Sequence, residues 1–145
     1  MDVDATMLAR MRLGEQALHS WDVAVALDPS AAVPAEPTGL LIDTVGQFAG
    51  RMGKPGERPR RVRVTTTGPH RTFVLDTGDP VSITADGGAA DGVAADGAGD
   101  GLPALALPAE ALIRLLYGRL DPGHTPAGVT SDVDLDELRA VFPGF

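Results

Sequence analysis

The chain has 145 residues, a formal net charge of −8, 43% apolar and 4% aromatic residues, and no cysteine. That is enough for one ordinary domain, or a small domain with an appended element, and its core must come mainly from Leu, Val, Ile and Ala. The charge argues against nucleic acid or an anionic membrane surface as partner. The lack of cysteine excludes disulfides, thiolate metal sites and cysteine nucleophiles.

Met1-Asp-Val-Asp4 is acidic where a secretory leader would be basic, and Glu110 and Arg114 interrupt the longest apolar run. The chain therefore reads as a cytoplasmic protein without a membrane span. From about Ala5 to Leu27, Met7, Leu8, Met11, Leu18, Trp21 and Val25 recur at three- and four-residue steps. That spacing predicts a helix, with Trp21 as a packing anchor and Asp28-Pro29 as its end. A second helix is expected from about Ala35 to Met52, with Leu40, Leu41, Val45 and Phe48 on its face and Gly53 ending it. Lys54 to Pro59 reads as a turn-rich linker. The basic cluster Arg58-Pro-Arg-Arg-Val-Arg63 borders a strand, where charged edges are commoner than anion sites.

Arg61–Thr67, Arg71–Asp76 and Pro80–Ala85 are β-branched or alternating, with short turns between them, and predict an antiparallel meander. Residues 86–101 are almost wholly Gly, Ala and Asp, the composition of a mobile loop. Asp86, Asp91, Asp96 and Asp100 do not have the alternate-residue spacing of a calcium loop. Leu105-Ala-Leu107 suggests a further strand. A helix is expected over Ala109–Tyr117, started by Pro108 and ended by Gly118. Val129-Thr130 suggests an edge strand, and Asp132 or Asp134 caps a closing helix over Leu135–Phe142. The fold class is α+β: two N-terminal helices (1–54), then a small, mostly antiparallel sheet with two helices (60–145).

Candidate chemistry concentrates in Gly14-Glu-Gln-Ala-Leu-His-Ser-Trp-Asp22. Glu15 and His19, four apart on a helix, leave the same face on successive turns, which is half of a first-row metal site. Asp22 follows on that face, where it can hold the imidazole or a neighbouring cation. A solvent-facing polar stripe is the commoner meaning of Glu-x-x-x-His, and spacing alone favours it. His70 and His124 sit in predicted turns and are poorly placed to add a ligand. Arg119 can fork onto a substrate carboxylate; equally, it can compensate the helix C-terminus or pair with Asp121.

The stretch Arg12–Leu27 resembles the last bundle helix of the mycothiol-dependent maleylpyruvate isomerase family. Arg61-Val-Arg-Val-Thr-Thr66, Leu107–Leu120 and Leu135–Phe145 resemble that family's C-terminal domain, in the same order. The resemblance implies a DinB-like metal-binding bundle joined to a sterol-carrier-like α+β domain. It matches Glu15 and His19 to metal ligands, Asp22 to the acidic residue of His-x-x-Asp at the cofactor site, and Arg119 to a catalytic arginine holding a substrate carboxylate. It implies a divalent metal, zinc foremost, favouring the thiolate of mycothiol for addition to a small electrophile such as maleylpyruvate.

Most of the family's bundle, including an early helix with a third ligand, has no counterpart here. The chain accordingly reads as a fragment, a start at an internal methionine, or a shortened relative, with a helical face open to homo-oligomer formation. The alternative function is a non-catalytic binding or interaction module with a vestigial metal site.

Overall fold

Asp4 starts the first helix, its carboxylate accepting from the backbone N–H of Met7 at 2.7 Å. The computed structural model describes residues 4–86 and 101–144. Helix α1 (Ala5–Leu27) runs 23 residues and ends at Asp28. There the Asp28 carboxylate accepts from Ser30 N at 3.0 Å and Ser30 Oγ at 2.7 Å, a local turn that competes with continued helix. Trp21 anchors the segment after this turn to α1: its indole N–H donates to the Ala31 carbonyl at 2.8 Å and its ring is buried.

The continuous helix expected over Ala35–Met52 is a broken one. It consists of α2 (Ala35–Leu41), a 3₁₀ turn (Ile42–Thr44) and α3 (Val45–Met52). Thr44 Oγ1 donates to the Leu41 carbonyl at 2.7 Å, a side-chain bond to the backbone that accompanies the tightened turn. The break lets α3 lie against the sheet, where a Cβ on Gly46 would come within 2.7 Å of the Ile83 carbonyl. Only a glycine permits that approach.

The five strands are β1 (Arg61–Thr67), β2 (Arg71–Asp76), β3 (Ser82–Ala85), β4 (Ala104–Pro108) and β5 (Thr130–Ser131), in the order β3-β2-β1-β4-β5. Strands β1 to β3 form the expected meander, with Val64 opposite Phe73 and Leu75 opposite Ile83. Strand β4 joins the other edge of β1 in parallel, Val64 opposite Leu105, and β5 closes that side antiparallel. A parallel neighbour needs a long connection rather than a hairpin. Residues 87–100 fall in that connection; the glycine-rich loop expected there, with Asp91, Asp96 and Asp100, lies outside the described residues.

One face of the sheet is buried through alternate residues: Val62, Val64 and Thr66, then Phe73 and Leu75, then Leu105 and Leu107. Helix α4 (Ala109–Leu116) follows β4 directly and is buried along its whole length, as an element covered on every side must be. Asp134 caps α5 (Leu135–Val141), accepting from Asp136 N at 2.9 Å. A single apolar cluster runs from Leu18 and Trp21 of α1, through the sheet, to Leu138 and Phe142. The segments 1–54 and 60–145 thus share one core. Among the described residues, no helix is long and apolar enough to cross a membrane.

Candidate functional site

Helix α1 buries Gly14, Ala17, Leu18 and Trp21, so Glu15 and His19 face outward. Their side chains are 55% and 74% exposed. Glu15 meets Arg12 Nη1 at 3.8 Å, a loose surface pair. His19 Nδ1 lies 3.6 Å from Asp22 Oδ2.

Asp22 is bound from the other side by Arg119. The guanidinium donates through Nε to Oδ1 at 2.8 Å and through Nη2 to Oδ2 at 2.9 Å, while Nη1 donates to the Tyr117 carbonyl at 3.0 Å. The reach of Arg119 comes from the end of α4. Gly118 takes a φ of +72°, and Arg119 N donates back to the Arg114 carbonyl at 2.7 Å, turning the chain toward α1. Hydrogen bonding from Arg119 holds the Asp22 carboxyl below its ordinary pKa, against an upward push from burial, with further help from the charges of Arg119 and His19. The fork therefore closes on this chain's own carboxylate. Asp121 is engaged elsewhere, with His124 Nδ1 at 2.6 Å.

Tyr117 was not signalled by sequence reasoning, although it precedes the helix-ending glycine and Arg119. Its ring is buried and its hydroxyl lies over Gly14, where a Cβ would collide with it. Burial pushes the phenol pKa up, and the negative charge of Glu15 pushes it further, against a downward pull from Arg119. Gly14, Glu15, Tyr117, Arg119, Asp22 and His19 thus form one connected patch across α1 and the end of α4.

Beneath the patch, Arg114 donates to both oxygens of Glu110 at 2.7 and 2.8 Å, and to the His124 carbonyl at 2.7 Å. Its guanidinium sits 4.8 Å from the centre of the Trp21 ring, against whose edge His124 packs at 5.7 Å. Glu110 also accepts from Val33 N at 3.2 Å, tying the α1–α2 loop to α4. His124 is committed to this network, and His70 lies exposed at the β1–β2 turn.

Among the described residues, no group of three or more His, Asp or Glu side chains is placed to hold a metal ion. The fit to zinc is therefore partial. A carboxylate and an imidazole are donors zinc accepts, and Asp22 stands behind the imidazole as carboxylates do at metal-binding histidines, but two donors make half a site.

The basic cluster leads into β1, which is the central strand of the sheet and not the charged edge expected, and two of its arginines are paired. Arg60 meets Glu137 at 3.2 Å, and Arg63 is bound to Asp86. Arg60 also borders an open cleft of about 640 Å³ lined by Lys54, Arg58, Thr77, Leu138 and Val141 among others. No family model, curated protein or solved structure matches the chain.

Proposed function

We propose that the chain is a member or a fragment of the mycothiol-dependent isomerase and thiol-transferase family, acting in the cytoplasm. In this reading Glu15 and His19 hold a divalent metal, zinc foremost, at which mycothiol adds to a small electrophile such as maleylpyruvate. The observation that carries it is the relay Arg119–Asp22–His19. Asp22 Oδ2 lies 3.6 Å from Nδ1, so the carboxylate flanks that side of the ring and Nε2 is the nitrogen left to bind metal. A bound zinc ion would supply the positive charge that favours thiolate over thiol near neutral pH.

Arg119 has two roles in this reading. Its three hydrogen bonds use three of the guanidinium's five N–H donors, fixing Asp22 and leaving two for a substrate carboxylate. Asp22 is a positioning residue at the cofactor site. Tyr117, its pKa raised by burial and by the Glu15 charge, adds no negative charge to the site near neutral pH.

Zinc titration of the purified protein, followed by assay of mycothiol-dependent isomerisation, tests the reading. Glu15→Ala and His19→Ala should each abolish zinc uptake and turnover together. Unchanged zinc content in both variants sinks it.

The alternative, a non-catalytic binding module, is favoured by the cleft of about 640 Å³ beside Lys54 and Val141. It expects fatty-acid or thiol binding that is indifferent to Glu15→Ala and His19→Ala.

A further inference from the structure

Strand β3 is the last strand on its side of the sheet, so among the described residues its outer edge has no strand neighbour. The ladder fixes which groups face that edge. Asp86 N donates to the Thr72 carbonyl at 2.9 Å, so by antiparallel alternation Val74–Thr84 and Asp76–Ser82 are also the hydrogen-bonded pairs. The N–H and C=O groups of Val81, Ile83 and Ala85 then point away from β2. An open edge of that kind is a template for another strand.

Helix α3 occupies the place of that strand. A Cβ on Gly46 would lie 2.7 Å from the Ile83 carbonyl oxygen, and one on Gly50 would lie 3.4 Å from the Val81 carbonyl oxygen. Both are outward carbonyls, and the helix runs antiparallel to β3 along them. The spacings match: four helical residues rise about 6 Å, and two strand residues span about 6.6 Å. Gly53 extends the fit, since a Cβ there would meet the Val81 side chain at 2.6 Å. A helix uses its N–H groups internally, so this seal is backbone packed on backbone, without a ladder. The ends of the helix are tied more firmly. Arg71 forks onto Asp43 of the preceding 3₁₀ turn at 2.8 and 3.3 Å, and Lys54 N donates to the Val141 carbonyl at 2.7 Å.

We infer that α3 guards the β3 edge, and that the partner it holds off is a second copy of this chain, adding β3 to β3. Antiparallel pairing about a two-fold axis at Ile83 sets Ile83 opposite Ile83 and Val81 opposite Ala85, so the outward groups of one copy meet those of the other. Val81-Ser-Ile-Thr-Ala85 carries no charge, whereas charged side chains are a common means of blunting an edge. Its Val, Ile and Thr are residues that suit strand pairing. The opposite edge, β5, is only two residues long and is blunted by its shortness. Protection of the β3 edge falls to the glycine face of α3.

Sedimentation of the full chain over a concentration series, with amide hydrogen exchange at Val81 and Ile83, tests the guard. The methyl of Gly46→Ala cannot share space with the Ile83 carbonyl, so α3 should lift. Exchange at both amides should quicken about tenfold or more, and the variant should reach at least twice the parent's mass. Gly39→Ala, in α2 with nothing within 4 Å of the new methyl, should match the parent in both readings. Adding Ala85→Pro removes an outward N–H at an exposed position and should return Gly46→Ala to the parent's mass. If circular dichroism shows Gly46→Ala unfolded, Gly50→Val, whose added methyls crowd the Val81 carbonyl, replaces it with the same expectations. Unchanged exchange overturns the guard. Quickened exchange at the parent's mass, or association that survives Ala85→Pro, overturns β3–β3 pairing.

Discussion

Two acid–base pairs at the same helical spacing have opposite surroundings. Glu110 and Arg114 on α4 sit four residues apart, as do Glu15 and His19 on α1. The first pair is out of water, the Arg114 side chain only 2% exposed, and its oxygens and nitrogens are engaged by each other, Val33, His124 and the Trp21 ring. The second stands in water with one loose partner at 3.8 Å and one at 3.6 Å. Spacing sets which side chains share a face; burial and satisfaction decide whether that face holds the fold together or stays free to bind.

The strongest way to break the comparison is to remove one half of the buried pair. Arg114→Ala should cost about 3–5 kcal/mol, because Glu110 is left charged and unpaired in the core. The denaturant midpoint should fall accordingly. Changing Glu110 to Leu and Arg114 to Met together should recover most of that loss, since the penalty belongs to the unmatched charge. Equal damage from the single and double variants would show that the hydrogen bond to His124, rather than the ion pair, carries the stability.

Gly14→Ala comes next. In a solvent-facing helix interior the change gains up to about 1 kcal/mol. Here the new methyl would run into the Tyr117 hydroxyl. The net result should be a loss of about 1–2 kcal/mol from overpacking, read by thermal or chemical denaturation. Adding Tyr117→Phe removes the obstructing oxygen and leaves a ring carbon at 3.2 Å, so in that background Gly14→Ala should lose most of its cost. The pair is a direct probe of how closely α1 sits on the end of α4.

Asp22→Asn should cost about 1 kcal/mol, a value held down because the Asp22 side chain is 40% exposed and the pair is screened by solvent. Its signature is a change in pH dependence. The Asp22 pKa is lowered in the folded chain, so its contribution is present above the ordinary carboxylate value of 3.8 and fades as pH falls through the lowered one. The asparagine variant should lose that part of the acid limb of the stability profile. An unchanged acid limb would mean that Arg119 is not charge-coupled to Asp22 in solution.

Most of this architecture was legible in the sequence. The span of α1, the β1–β2–β3 meander and the placement of α4 and α5 followed from periodicity, proline, glycine and capping aspartates, all local signals. Most of what failed to show was non-local. The Gly46–Ile83 approach accompanies the break in the second helix, as does the local Thr44 side-chain bond, and neither alters hydrophobic spacing. The parallel β1–β4 pairing depends on a connection whose composition does not specify a direction. At the site, Glu15, His19 and Asp22 could be grouped because they share one helix. The fork between Asp22 and Arg119 spans 97 residues of sequence, so no spacing rule reveals it. Tyr117 was passed over because one aromatic beside a helix-ending glycine reads as core, which it also is.

The smallest stability change should come from Glu15→Gln, within about 0.5 kcal/mol, since only a loose surface pair with Arg12 is lost. Its consequence is electrostatic instead. The Tyr117 pKa stands above 10.0, first from burial and second from the Glu15 charge. Removing that charge should lower the Tyr117 pKa toward, but not to, the ordinary value, because burial is untouched. Below pH 10 the phenol is neutral in folded and unfolded chains alike. As pH rises through the raised value the unfolded chain ionises first, and stability is lost. Glu15→Gln should therefore shorten the alkaline range over which that loss accumulates, visible as an earlier tyrosinate absorbance step in titration. A variant that sheds zinc, keeps its melting temperature and moves this step downward would place Glu15 where the comparison needs it: above a buried phenol, facing water, free to take a cation. A step that stays put would separate Glu15 from Tyr117 and remove the electrostatic link between the exposed face of α1 and the core beneath it.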